Sequence, residues 1–175
     1  IFTNSSCDRL EISGPFAKDL EGDNIVVKAL EYFRKETMWT QPVTIKIFKQ
    51  IPVAAGLGGG SANAACVLKI LNLLAPKARI SDEKLGGIGL NLGSDVPACL
   101  SGKILKMEGR GEILTIIGRT PNMPILLVNP NIALSTKAVF ETFSKNGLFT
   151  PADKNANVEV EEIFKNIGCN APNDL

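Results

Sequence analysis

The chain has 175 residues, of which 45% are apolar and 21% charged, with a net charge of +1. That is ordinary composition for a globular protein with a packed core, and the near-neutral balance gives no electrostatic case for nucleic acid or a membrane surface as partner. No apolar run approaches the ~20 residues of a membrane span, no signal-peptide pattern stands at the start, and the lack of any histidine excludes Ser-His-Asp and Cys-His catalysis.

Leu10 and Ile12 alternate with charged residues, which predicts a short strand over residues 7–12. Val26, Ala29, Leu30 and Phe33 fall at helical spacing, so a helix is expected over 25–35 with Asn24 as its N-cap. Beyond the break at Gln41-Pro42, Val43, Ile45 and Ile47 alternate with Thr44 and Lys46 as a strand. A glycine-rich segment then leads into a helix over 61–74. Its only charge is Lys69, which predicts burial on most sides, and Pro76 ends it. Ser81-Asp82-Glu83 opens another helix, with acids where the dipole favours them. Gly86, Gly87 and Gly89 weaken that helix and point to close packing or bending.

Residues 103–108 and 113–117 flank Gly109-Arg110-Gly111-Glu112 as a hairpin. A short strand at 125–128 follows, then a helix at 135–144 with Ala138, Val139 and Phe143 inward. A polar loop at 150–157 and a helix at 158–167 complete the chain. Strands and helices mix without strict alternation, an α+β pattern. Pro121 and Pro124 mark a change of unit, giving a domain at 1–122 and part of a second at 123–175. Cys7, Cys66, Cys99 and Cys169 form no C-x-x-C pair. They read as reduced thiols in or near the core of a cytoplasmic protein.

Chemistry concentrates in Ile51-Pro52-Val53-Ala54-Ala55-Gly56-Leu57-Gly58-Gly59-Gly60-Ser61-Ala62-Asn63, between a strand and a helix. Consecutive glycines permit φ > 0 and let backbone approach a ligand without Cβ clashes. They also turn several N–H groups into one concavity, to which the helix N-terminus adds its own, and phosphate is the usual occupant of such a site. No Lys-Ser/Thr follows the last glycine, so this is not a Walker A loop, and Ser61 stands where a dinucleotide fingerprint needs its third glycine. The bland alternative is a glycine-rich turn without a ligand, although a turn needs only one or two glycines.

The run from Pro52 to Ser61 resembles the central motif of the galactokinase, homoserine, mevalonate and phosphomevalonate kinase superfamily. Gly58-Gly59-Gly60 followed by Ser61-Ala62-Asn63-Ala64-Ala65 is similar to one branch, the 4-diphosphocytidyl-2-C-methyl-D-erythritol kinases. So are Leu92-Gly93-Ser94-Asp95-Val96-Pro97, Gly102 with Gly109-Arg110-Gly111-Glu112, and Asn173-Asp174-Leu175. The resemblance implies a two-layer α+β kinase domain, of the ribosomal protein S5 domain 2 type, and transfer of the γ-phosphoryl group of ATP to the 2-hydroxyl of the methylerythritol moiety. That is a step of non-mevalonate isoprenoid synthesis. It implies ATP and Mg²⁺ as cofactors and a small-molecule cytidine diphosphate as substrate.

Carried onto these positions, the resemblance makes Asp95 the catalytic base. Pro52, Ala54, Ala55, Gly56, Leu57, Gly58, Gly59, Gly60, Ser61 and Asn63 become the phosphate cradle, with Ser61 also toward Mg²⁺, and Asn24 and Lys49 nucleotide neighbours. Each keeps a structural alternative: N-capping for Asp95 and Asn24, a first-turn helix residue for Asn63, and a solvated strand lysine for Lys49.

Two parts of the family pattern are not in these residues: an N-terminal strand motif with a catalytic lysine, and an Asp-Gly-Tyr-His segment that holds cytidine. A second glycine-rich segment near the family's C-terminus has no match either. With Ile rather than Met at residue 1, the expectation is a fragment truncated at both ends and inactive by itself. Alternatives are another kinase of the superfamily, a non-catalytic nucleotide-binding module, and a dinucleotide-dependent oxidoreductase. The last would need an acidic residue about 20 positions beyond the loop on a following strand.

Overall fold

The computed structural model describes residues 6–20, 23–118 and 136–146, together with Pro124, Leu126 and Val128. Strand β1 (Arg9–Ser13) runs parallel to β2 (Thr44–Phe48), with Arg9 opposite Thr44 and Ser13 opposite Phe48. Parallel neighbours need a crossover, and helix α1 (Ile25–Thr37) supplies it. Asn24 caps α1, its side chain accepting the Val26 N–H at 3.1 Å. Met38 closes the other end at φ 56, where its N–H reaches the Arg34 carbonyl at 2.7 Å. The helix runs two residues beyond the expected 35 because only there does the backbone turn left-handed.

Helices α2 (Gly59–Leu74) and α3 (Asp82–Leu92) pack against α1, and α4 (Val96–Ser101) packs on α2 and α3. Their shared core gathers Phe33 and Val26 from α1, Val43 and Ile45 at β2, Leu68 and Leu71 from α2, Ile88 from α3 and Val96 from α4. Helix α2 begins at Gly59, two residues ahead of expectation, because Gly58 takes the left-handed N-cap position at φ 62. Its buried surface is narrower than expected: Cys66, Lys69 and Leu73 all face outward. Buried Asn72 secures the link to α3. Its amide donates to the Ile80 carbonyl at 3.0 Å and accepts the Ile80 N–H at 2.9 Å.

The three glycines of α3 separate into two kinds. A Cβ on Gly86 or Gly87 would meet nothing within 4 Å, whereas one on Gly89 would stand 3.1 Å from both Val96 Cγ1 and Leu100 Cδ1. Only Gly89 serves close packing, letting α4 settle on α3. Helix α4 itself was not expected as an element; Pro97 inside its first turn and Gly102 at φ 61 delimit it.

Strands β3 (Ile104–Glu108) and β4 (Ile113–Gly118) form the expected antiparallel hairpin. Helix α5 (Thr136–Asn146) carries half-buried Val139 and Phe143, but Ala138 is exposed rather than inward. Cys7 and Cys66 are exposed and Cys99 is half-buried, so the core assignment of the thiols fails for the first two, although none is in a disulfide. Of the strand expected at 125–128 only Leu126 and Val128 are described, and both are exposed. The loop at 150–157, the helix at 158–167, Cys169, the motif at Asn173 and the second unit lie outside the described residues apart from those positions and α5. Among the described residues no helix is long and apolar enough to cross a membrane.

Candidate active site

A hollow of about 650 Å³ opens where the loop after β2 meets the N-terminus of α2. The backbone there is left-handed at Ala54 (φ 56), Gly56 (φ 71) and Gly58 (φ 62). Ala54 is one of two non-glycine residues with positive φ among those described, a conformation that costs an L-residue roughly 1–2 kcal/mol. A Cβ added to Gly56 or Gly58 would meet nothing within 4 Å, so these positions face open space rather than packed protein. The first helical bond of α2 is Ala62 N–H to the Gly58 carbonyl at 2.9 Å. The N–H groups of Gly59, Gly60 and Ser61 therefore lie ahead of the intrahelical ladder, where an anion can take them.

Lys49 adds a cation to this end of the hollow. It is only 9% exposed, and its Nζ lies 3.6 Å from where a Cβ on Gly59 would stand. Among the described residues no ion pair is formed by this ammonium. Its backbone is fixed by β1: the Lys49 N–H donates to the Ser13 carbonyl at 2.7 Å, and Gly14, at φ 105, lets the two chains touch. A Cβ on Gly14 would lie 2.8 Å from the Lys49 nitrogen. The side chain of Lys49 is thus largely covered while it borders the hollow.

Asp95 lines the same hollow from the far side. It occupies the N-cap position of α4, yet its backbone is αR (φ −84, ψ −15) and its side chain makes no capping bond. Asp95 is exposed, with the Ser94 hydroxyl 3.5 Å from its Oδ1. Behind it, burial and the charge of Asp95 both raise the Cys99 thiol above its ordinary pKa, against a smaller lowering by Lys69.

Pro52, Ala54, Ala55, Leu57 and Asn63 border the hollow, as does Asn24. Asn24 is the helix cap as well, so its structural alternative is observed together with its position at the site. Sequence reading missed the apolar wall of Leu20, Ile25, Ile47 and Ile51. The signal for Ile47 was present: two residues before Lys49 on an extended chain, it shares that residue's face. Asp82 and Glu83 stand in the first turn of α3, not on a strand, so the oxyreductase pattern finds no support here.

The donor set also suits a magnesium–phosphate complex. Ser61 and Asp95 bring oxygens to one hollow, and no cluster of three acidic, cysteine or histidine ligands exists among the described residues. Mg²⁺ typically takes one or two protein oxygens and completes its shell with phosphate and water.

The glycine loop, the N-terminus of α2 and Asp95 of this α+β unit thus line one hollow. Residues 24–103 match the family described as GHMP kinases N terminal domain. The chain is also similar to enzymes named 4-diphosphocytidyl-2-C-methyl-D-erythritol kinase. It is 40% identical over 156 residues to that of Chelativorans sp. (strain BNC1), covering 86% of this chain and 53% of the relative. It is 45% identical over 130 residues to that of Clostridioides difficile (strain 630), covering 74% and 44%. A crystal structure of 4-(cytidine 5'-diphospho)-2C-methyl-D-erythritol kinase matches with a TM-score of 0.51 at 28% identity, over 79% of this chain and 55% of that one. The chain spans about half the length of the curated relatives it matches.

Proposed function

We propose that the hollow binds ATP with Mg²⁺, and that the chain serves phosphorylation of the 2-hydroxyl of 4-diphosphocytidyl-2-C-methyl-D-erythritol in non-mevalonate isoprenoid synthesis in the cytoplasm. The observation that carries this reading is the convergence of Lys49, the left-handed loop and Asp95 on one space. The N–H groups of Gly59–Ser61 and the Lys49 ammonium hold the triphosphate; Ser61 and the phosphates hold Mg²⁺, which offsets phosphate charge when bound. Asp95 takes the proton of the attacking hydroxyl. The deprotonated hydroxyl oxygen bonds to the γ-phosphorus while the bond to the β,γ-bridging oxygen breaks, leaving ADP and the phosphate ester. The names and identities of the relatives support this substrate over homoserine or mevalonate.

Titration with a non-hydrolysable ATP analogue and Mg²⁺ tests the nucleotide site. The amides of Gly56–Ser61 should shift, and an analogue that leaves them unmoved refutes the reading. Asp95→Asn should keep analogue affinity within about threefold and melt within about 0.5 kcal/mol of the parent, because the carboxylate caps nothing. It should reduce transfer roughly 10²–10⁴-fold.

A further inference from the structure

The tip of the β3–β4 hairpin does something unusual for a turn. Gly109, Arg110 and Glu112 are exposed, as turn residues ordinarily are, but Gly111 between them is buried. It is buried against Ser94: a Cβ on Gly111 would collide with the Ser94 carbonyl oxygen and stand 3.1 Å from its carbonyl carbon and 3.2 Å from its Cα. All three atoms are backbone, so no side-chain rotation relieves the contact. Gly111 also sits at φ 104, outside the range other residues readily adopt.

The turn is braced from within. The Glu112 carboxylate accepts the Arg110 N–H at 2.6 Å, and the Gly111 N–H reaches the Glu108 carbonyl at 3.3 Å. Glu112 lies where Gly109 has no side chain; a Cβ there would stand 2.7 Å from Glu112 Cδ. Ser94 immediately precedes Asp95, whose carboxylate has no capping bond to hold it. The backbone of 94–96 must therefore hold Asp95. Val96 anchors it on one side, fully buried beneath Gly89, and Gly111 stops it on the other.

We propose that the β3–β4 turn sets Asp95 against the phosphate hollow, with Gly111 and Glu112 as positioning residues for phosphoryl transfer. The assignment rests on the kinase reading of Asp95 given above. It predicts that disturbing the turn moves Asp95 while leaving the phosphate loop as it was.

Isotope-labelled chain, observed by NMR with and without Mg²⁺ and the non-hydrolysable ATP analogue, tests it. Gly111→Ala should displace or broaden the amides of Ser94, Asp95 and Val96 and the Asp95 carboxyl carbon. The analogue-induced shifts of Gly56–Ser61 should stay as in the parent. Glu112→Ala, at an exposed position, keeps the test open should Gly111→Ala fail to fold, and should produce the same displacement. Glu112→Gln retains an acceptor oxygen and should restore the parent signals. Parent-like resonances at 94–96 in both Gly111→Ala and Glu112→Ala overturn the proposal, as does equal disturbance of the phosphate loop in both. Absence of analogue shifts in the parent would instead overturn the nucleotide reading. The Asp95 comparison among the variants would still decide whether the turn positions that residue.

Discussion

Gly58 holds φ 62 at the start of α2, and a Cβ there would touch no atom of the protein. Its substitution therefore separates fold from ligand. Gly58→Ala should cost about 1–2 kcal/mol, the price of a left-handed alanine, while its methyl projects into the space the phosphates would use. Calorimetry should show at least a tenfold loss in ATP-analogue affinity beside that modest change in melting. Lys49 offers the opposite separation. Among the described residues Lys49 forms no ion pair, so removing its charge breaks no salt bridge of the fold. Lys49→Met should leave the melting temperature of the ligand-free chain unchanged or raised, and weaken analogue binding by tenfold or more. A lower melting temperature with intact binding would show that the ammonium serves the fold instead.

At the scale of elements, α3 provides an internal comparison. Gly86 and Gly87 lie in a helix interior with open space around them. Replacing either with Ala should stabilise the chain by about 0.5–1 kcal/mol through helix propensity alone. Gly89→Ala gains the same propensity but drives a methyl to 3.1 Å from Val96 and Leu100, so it should lose the gain or reverse it. Denaturant unfolding of the three variants checks the ordering. The sequence announces three glycines and cannot tell them apart, because the distinction depends on α4 crossing only one of them. The same limit governs the rest of the reading. Periodicity located α1, β2, α2 and the hairpin, since each has a face set by local spacing. Helix α4 went unseen because six residues with a proline near their start carry too little period. Cys66 and Leu73 were misjudged because an apolar helix side looks alike whether or not a neighbour covers it. The hollow was legible as residues, since glycines, Lys49 and Asp95 are chemically marked. Its apolar wall and the docking of Gly111 on Ser94 are tertiary facts with no local signature.

Across the whole molecule, one polar junction ties the sheet to the helical layer. Asp8, just ahead of β1, receives the Arg34 guanidinium of α1 through both of its carboxylate oxygens, one contact at 2.9 Å. It also accepts the Val43 N–H at 3.0 Å. Arg34 donates further to the Gln41 carbonyl at 2.8 Å and stacks over Trp39 with 5.9 Å to the ring centroid. Chain segments far apart in sequence thus meet at one carboxylate. The Arg34 hydrogen bond, helped by that from Val43 and opposed by partial burial, holds the Asp8 carboxyl below its ordinary pKa of 3.8. A carboxylate whose folded pKa is depressed contributes stability that is fully present above its unfolded value. That contribution is lost as the pH falls from there through the folded value. The junction should therefore be intact at neutral pH and fail only in acid, below the usual carboxylate range. Asp8→Asn keeps an acceptor for Val43 but loses the ion pair. Because both partners are partly exposed, the cost at pH 7 should be about 1 kcal/mol. The decisive measurement is the difference in stability between parent and Asp8→Asn as a function of pH. It should be constant from pH 7 to about pH 5 and shrink as the pH falls below the ordinary carboxylate pKa. A difference that stays constant through the acid range would mean that the guanidinium does not hold the carboxylate in the folded state, and that β1 is joined to α1 by packing alone.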